Sequence, residues 1–134
     1  MKQIEDRLSE PWPSTAECLG NIEGDMVVLG AGGKMGPTLA MLLKKAAPDK
    51  VVYAVSRFSD PAVKSRLEEV GVVTLACDLL DERCYSSLPD VRNVYYLAGM
   101  KFGATGKQAL TWAMNAYMPA LVAQHYRNAR IAAF

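Results

Sequence analysis

One histidine, three cysteines and a formal net charge of only +1 leave this 134-residue sequence short of several kinds of chemistry. A near-neutral balance gives no general field for steering polyanions, so nucleic acid is not an expected partner. Cys18, Cys77 and Cys84 are scattered and odd in number. They show neither a disulfide framework nor the spacing of a zinc site, and they read as incidental thiols in a reducing compartment. No metal is expected. His125 stands late in a helical stretch with no acid at a matching spacing, which suits a surface position near a helix C-terminus better than catalysis. Long apolar runs are missing too. The longest stretch without a charged residue, Gln108 to Tyr126, includes Thr111, Asn115, Pro119, Gln124 and His125 and would be costly in hydrocarbon, so no membrane span is expected. The opening Met1-Lys2-Gln3-Ile4-Glu5-Asp6-Arg7 has no apolar core of a secretory leader, which predicts a cytoplasmic protein. Internal repeats and low-complexity tracts are absent.

What is present suits one globular domain: 51% hydrophobic and 22% charged residues, with enough length for a real core. Charge divides the chain unevenly, residues 1 to 25 carrying −4 and the remainder +5. The expected division is therefore an N-terminal appendage, 1–25, and a main domain, 26–134. Pro11-Trp12-Pro13-Ser14 predicts a short helix followed by an extended, turn-rich stretch, with Trp12 packed on the main domain.

From Met26 onward apolar runs alternate with segments of helical period, the pattern of a parallel sheet covered by helices. Met26 to Leu29 is apolar without alternation, as in a strand buried on both faces. Lys34 to Ala47 repeats apolar residues at Met35, Leu39, Leu42, Leu43 and Ala46, one face of a helix. Val51 to Val55 is a second strand. Asp60-Pro61 then supplies an N-cap and a first-turn proline, Val63, Leu67 and Val70 continue the helix, and Gly71 stops it. Val72 to Ala76 is a third strand, Asp81 to Leu88 a short helix, and Val94 to Ala98 a fourth strand. Gly106 to Asn128 is a long helical segment that Pro119 must kink or restart. Ile131 to Phe134 reads as a fifth strand that has barely begun. Trp112, Tyr117, Leu121 and Tyr126 suit a core or a subunit contact, because no basic stripe accompanies them.

The informative turn is Leu29-Gly30-Ala31-Gly32-Gly33-Lys34-Met35-Gly36, between the first strand and the first long helix. Residues without Cβ permit positive φ and let backbone N–H groups approach a pyrophosphate, which the helix N-terminus also favours. Gly30, Gly33 and Gly36 have these properties at spacing G-x-x-G-x-x-G; close helix–sheet packing is the alternative use of such glycines. The second strand ends in Ser56-Arg57, with no carboxylate at its tip. An acid there accepts from the ribose 2′-hydroxyl of NAD, whereas an arginine accommodates the 2′-phosphate of NADP. NADP(H) is therefore the preferred cofactor and NAD(H) the second choice, unless Arg57 is merely exposed or opposed by nearby Asp60.

These residues, with Cys77-Asp78-Leu79-Leu80-Asp81 after the third strand, Leu97-Ala98-Gly99-Met100 after the fourth and Asn115 in the long helix, resemble the extended short-chain dehydrogenase/reductases, or NAD-dependent epimerase/dehydratase family. The resemblance covers about residues 26 to 134. It implies an α/β doubly wound parallel sheet of Rossmann-like order 3-2-1-4-5, incomplete at its C-terminal end. It also implies that Gly30, Gly32, Gly33, Lys34, Met35 and Gly36 cradle the dinucleotide diphosphate. Asp78 then accepts from the adenine amino group beside the Leu79 backbone, or else caps the next helix, a role for which Asp81 competes. Ala98, Gly99 and Met100 would pass under ribose and nicotinamide. Asn115 would support a proton relay, or be a polar residue on a helix flank. Lys101 and Lys107 could meet an anionic substrate or simply be solvated.

The departure from the family matters equally. Its catalytic Tyr-x-x-x-Lys is absent, since Tyr53, Tyr96, Tyr117 and Tyr126 are followed four residues later by Arg57, Met100, Leu121 and Arg130. The implied function is the NAD(P)-binding portion of an epimerase, dehydratase or reductase acting on a sugar nucleotide or similar carbonyl or alcohol, with the base supplied by a longer parent chain. The alternative is a noncatalytic NADP-binding module for redox sensing or subunit partnership. The exposed fifth strand predicts self-association, a homodimer included.

Overall fold

Strand β1, Met26–Leu29, is buried at every position. Successive strand residues point to opposite faces, so Met26 and Val28 join one apolar cluster while Val27 and Leu29 join the other. A strand with a core on both sides has no polar face, which accounts for the unalternating run. The computed structural model describes residues 2–100 and 105–134. In it β1 is the middle of a five-stranded, all-parallel sheet of order β3-β2-β1-β4-β5. The other strands are β2 (Val52–Ser56), β3 (Val73–Ala76), β4 (Asn93–Tyr96) and β5 (Arg130–Ala133). The expected order is the observed one. Strand β5 is more complete than expected, pairing along the whole of β4 from Arg130 against Asn93 to Ala133 against Tyr96.

Helices α3 (Gly36–Ala46) and α4 (Pro61–Glu69) cover the first cluster, and a 3-10 helix (Glu82–Ser87) and α6 (Met118–His125) cover the second. Asp60 caps α4 by accepting from Ala62 N–H at 2.9 Å, and Gly71 follows it in the left-handed region at φ +83°, as the residue types predict. The buried face of α3 differs in part from the expected one. Leu43 and Ala46 are buried as expected, but Gly36, Pro37, Ala40 and Met41 are buried with them, whereas Leu39 and Leu42 are half-buried against the core and Met35 is exposed. At the start of the helix a small residue is required: a Cβ on Gly36 would lie 2.5 Å from Ala31 Cα in the turn after β1.

The long helical segment is three pieces: α5 (Gln108–Trp112), a π-helical turn (Ala113–Tyr117) and α6, with Pro119 in the first turn of α6. That is the restart the proline called for, where a missing N–H is harmless. The inserted π turn also divides the aromatic run. Tyr126 is buried and Leu121 packs beside it, but Trp112 is 72% exposed and Tyr117 is exposed, so a core role does not hold for those two.

The N-terminal stretch differs from expectation in two ways. After α1 (Lys2–Leu8), residues Pro13–Asn21 form a second helix, α2, rather than an extended stretch. Pro13 at its first position is a helix starter as much as a breaker. Trp12, expected to pack on the main domain, is 76% exposed; it occupies the N-cap position of α2, ahead of the buried Leu19. What docks instead is α2, through Leu19 in the first core cluster with Ala16 and Ile22 packed against it, while α1 is held by polar contacts: Glu5 pairs with Arg66, and Lys45 Nζ donates to the fully buried Ser9 Oγ at 3.0 Å and to Glu10 at 3.3 Å. Buried Asn93 donates from Nδ2 to the carbonyls of Glu23, Gly24 and Asp25, tying the start of β4 to the turn before β1.

Candidate functional site

The chain passes from β1 outward through β2 to β3, then returns across the sheet to β4, so its order reverses between β1 and β4. Crevices in open parallel sheets form at the carboxyl ends of strands at such a reversal. A cavity of about 440 Å³ lies there, within the usual size of a small-molecule site. Gly30, Gly32 and Gly33 line it from the β1 turn, Ser56 and Arg57 from β2, Asp78 and Leu79 from β3, and Ala98, Gly99 and Met100 from β4. Lys34, Met35, Gly36 and Asn115 do not line it, and Lys101 lies outside the described residues.

The glycine turn works differently from the simplest reading. Gly30 N–H donates to Val55 O at 2.9 Å and Gly33 N–H donates to Gly30 O at 3.1 Å, so these two amides are already committed and are not bared for an anion. Gly30 is needed for shape: its φ is +89°, and a Cβ would lie 2.6 Å from Ala98 N. Gly36 is needed for the close contact of the helix start with the turn at Ala31. At Gly32 a Cβ would fall on Ser56 Oγ, whereas at Gly33 it would meet only Gly30 O at 3.4 Å. The N–H groups that a helix leaves without intrahelical acceptors belong here to Met35, Gly36 and Thr38, because Pro37 has none.

At the β2 tip, Ser56 Oγ accepts from Phe58 N–H at 3.4 Å, and Phe58 holds a positive φ of 47° at the crevice lip, an uncommon conformation outside glycine. Asp60 is engaged by its helix cap. Among the described residues it forms no ion pair with Arg57.

At the β3 tip the two aspartates divide their roles. Asp81 caps the 3-10 helix, accepting from Arg83 N–H at 3.1 Å, and hydrogen bonding from the Arg83 side chain holds its carboxyl below the usual carboxylate range. Asp78 accepts from Leu80 N–H at 3.0 Å and stays exposed at the crevice. Leu79 is buried, and its carbonyl accepts from Tyr85 Oη at 2.9 Å. Burial pushes the Tyr85 phenol up from 10.0 to about 12. Cys77 and Cys84 correct an expectation: they are joined as a disulfide with Cα atoms 6.0 Å apart. Spacing alone does not show this, because the intervening turn brings the two side chains together. Cys18 is free and exposed.

At the β4 tip, Leu97 N–H donates to Leu29 O at 2.8 Å, and the amide of Asn115 grips the backbone of Met100. Asn115 therefore stands behind the crevice wall. His125 is exposed in the last turn of α6, edge-on to Tyr85 and Tyr126 with ring centres 5.5 and 4.6 Å away. Leu110, Met114 and Met118 form an apolar wall that residue-type reasoning missed. Their spacing of four was the available signal.

Sheet order, reversal point and crevice define a doubly wound, Rossmann-like α/β fold. No protein-family model matches the chain, and no curated protein sequence matches it. Solved structures do match. An ADP-L-glycero-D-manno-heptose-6-epimerase from Helicobacter pylori superposes with TM-score 0.73 at 15% identity, over 83% of this chain and 38% of its own. An L-threonine dehydrogenase from Clostridium difficile gives 0.67 at 19% identity, over 81% and 35%. The enzyme WbmF from Bordetella bronchiseptica, in complex with NAD+ and UDP, gives 0.65 at 14% identity, over 86% and 36%. At such identities the likeness shows the fold, and the chain spans little more than a third of these structures' length. No helix among the described residues is long and apolar enough to cross a membrane.

Proposed function

We propose that this chain is the dinucleotide-binding part of an extended short-chain dehydrogenase/reductase, holding NADP(H) in preference to NAD(H). The observation that carries this reading is convergence: candidate residues from four separate strand ends line one crevice. They also fit the ligand. Positions 30 and 36 are closed to any Cβ by neighbouring backbone, so the turn stays low where a diphosphate would lie against the α3 terminus. Ser56 and Arg57 offer donors for a 2′-phosphate, Asp78 offers an acceptor for the adenine amino group, and Ala98 and Gly99 leave room for ribose and nicotinamide. When bound, the nicotinamide supplies hydride transfer. The chain's own residues bind and orient it, and Asn115 positions the Met100 segment.

The substrate class is a sugar nucleotide or similar carbonyl or alcohol, and the acid–base pair comes from outside these 134 residues. Solved structures of this fold described as an epimerase and as a complex with UDP support that class. A cytoplasmic, self-associating protein fits the same reading. A second reading, a dinucleotide carrier without turnover, is favoured by the absence of Tyr-x-x-x-Lys. It differs in predicting no reaction from the whole gene product. The first experiment is a thermal shift with NADPH: at 100 times the dissociation constant a binder gains about 2.7 kcal/mol. No shift with either NADPH or NADH overturns both readings.

A further inference from the structure

We propose that Cys77 and Cys84 are a reversible dithiol–disulfide pair that gates the crevice. Oxidised, the bridge holds the loop from Cys77 to Asp81 in its binding position; reduced, the loop is released. This rests on the dinucleotide reading of the crevice. The Cα separation of 6.0 Å lies where a disulfide needs it. Both residues are half-buried, so a small thiol can reach them, and Cys77 itself lines the cavity. The enclosed segment carries Asp78 and Leu79, two of the crevice's recognition residues.

The surroundings make this tie matter. Among the described residues strand β3 is the edge of the sheet, paired with β2 alone, and edge segments with exposed hydrogen bonds lie at the low-stability end of a fold. The far anchor is a 3-10 helix of six residues, a type with poor hydrogen-bond geometry. Apart from the bridge, the loop is held by the burial of Leu79 and by short local bonds: Cys77 N–H to Ser56 O, Asp81 N–H to Asp78 O and Tyr85 Oη to Leu79 O, each at 2.9 Å, Leu80 N–H to Asp78 and Cys84 N–H to Asp81 O, each at 3.0 Å, and Arg83 N–H to Asp81 at 3.1 Å. In a reducing compartment, disulfides of this kind are as a rule transient and catalytic or sensing.

The chemistry balances with a dithiol as reductant. Its thiolate attacks one cysteine sulfur, the S–S bond breaks, and the other cysteine leaves as thiolate and takes a proton. The reductant's second thiol then displaces the first cysteine and closes its own disulfide, so two electrons pass and two protonated cysteines remain. A small-molecule disulfide reverses the exchange.

The test uses the full chain in a Cys18→Ser background, with and without Cys84→Ser, oxidised or reduced by a dithiol. Thiol titration after denaturation verifies each state. Reduction is expected to speed amide hydrogen exchange at Leu80 and Asp81, and to weaken NADPH binding about fivefold, the scale of re-ordering a freed side chain on binding. The Cys84→Ser protein should match the reduced form and ignore the reductant. Unchanged exchange on reduction overturns the gate. Faster exchange with equal NADPH affinity also overturns it, leaving the dinucleotide reading intact. Absence of NADPH binding in both redox forms overturns the gate and that reading together.

Discussion

Asn115 closes on the backbone of Met100 from both sides: its Oδ1 accepts from Met100 N–H at 2.7 Å, and its Nδ2 donates to Met100 O at 2.8 Å. The pair joins the π-helical turn to the segment leaving β4, so a side chain outside the cavity sets the position of one of its walls. Asn115→Leu removes both bonds. It should cost about 1–2 kcal/mol of stability and weaken NADPH binding, whereas Asn115→Asp keeps the acceptor and should lose less. Equal affinity for wild type and Asn115→Leu by calorimetric titration would contradict this positioning role.

Glycines of the turn should separate by what a Cβ would meet. Gly36→Ala drives a methyl into the Ala31 backbone at 2.5–2.7 Å and should destabilise the protein by about 1–3 kcal/mol. Gly33→Ala meets only ordinary contact at 3.4 Å and should leave stability within about 0.5 kcal/mol. Urea denaturation of the two variants checks the contrast, and similar midpoints would refute it.

Cofactor choice should reside at the β2 tip. Arg57→Ala should raise the NADPH dissociation constant about tenfold, the loss of one charge-assisted hydrogen bond, while leaving NADH nearly unchanged. Fluorescence titration of both nucleotides measures it. Equal losses, or none, would remove the preference for NADP(H).

Alkaline pH should lower the stability of the fold through its buried tyrosines. The Tyr85 phenol is raised by burial from 10.0 to about 12, and Tyr126, in the same cluster, is raised for the same reason. A group whose folded value is raised holds its proton more tightly when folded, so its stabilising share is full below pH 10 and is lost as pH climbs toward about 12. Melting temperature should therefore fall over that window, and Tyr85→Phe should flatten the fall while sacrificing the hydrogen bond to Leu79 O. An unchanged slope in Tyr85→Phe would contradict this account.

Much of the sheet was legible because a strand buried on both faces leaves an unalternating apolar run, as at Met26–Leu29, and because glycines between a strand and a helix mark a tight strand-to-helix turn. The residues around the crevice were legible as residue types standing at strand ends. The remainder depended on three-dimensional placement. Pro13 starts a helix instead of ending one, and the buried stripe of α3 takes in Gly36, Ala40 and Met41 beside the expected Leu43 and Ala46. The wall of Leu110, Met114 and Met118 is visible only once α5, the π turn and α6 run continuously beside the crevice. Cys77 and Cys84 meet only through the turn at Asp78–Asp81.

The most direct measurement is an NMR titration of the 15N-labelled chain with NADPH. Saturable amide shifts concentrated at Gly30–Gly36, Ser56–Arg57, Asp78–Leu79 and Ala98–Gly99 are predicted. No saturable shift, or shifts gathered elsewhere on the surface, would contradict the assignment of this crevice to a dinucleotide.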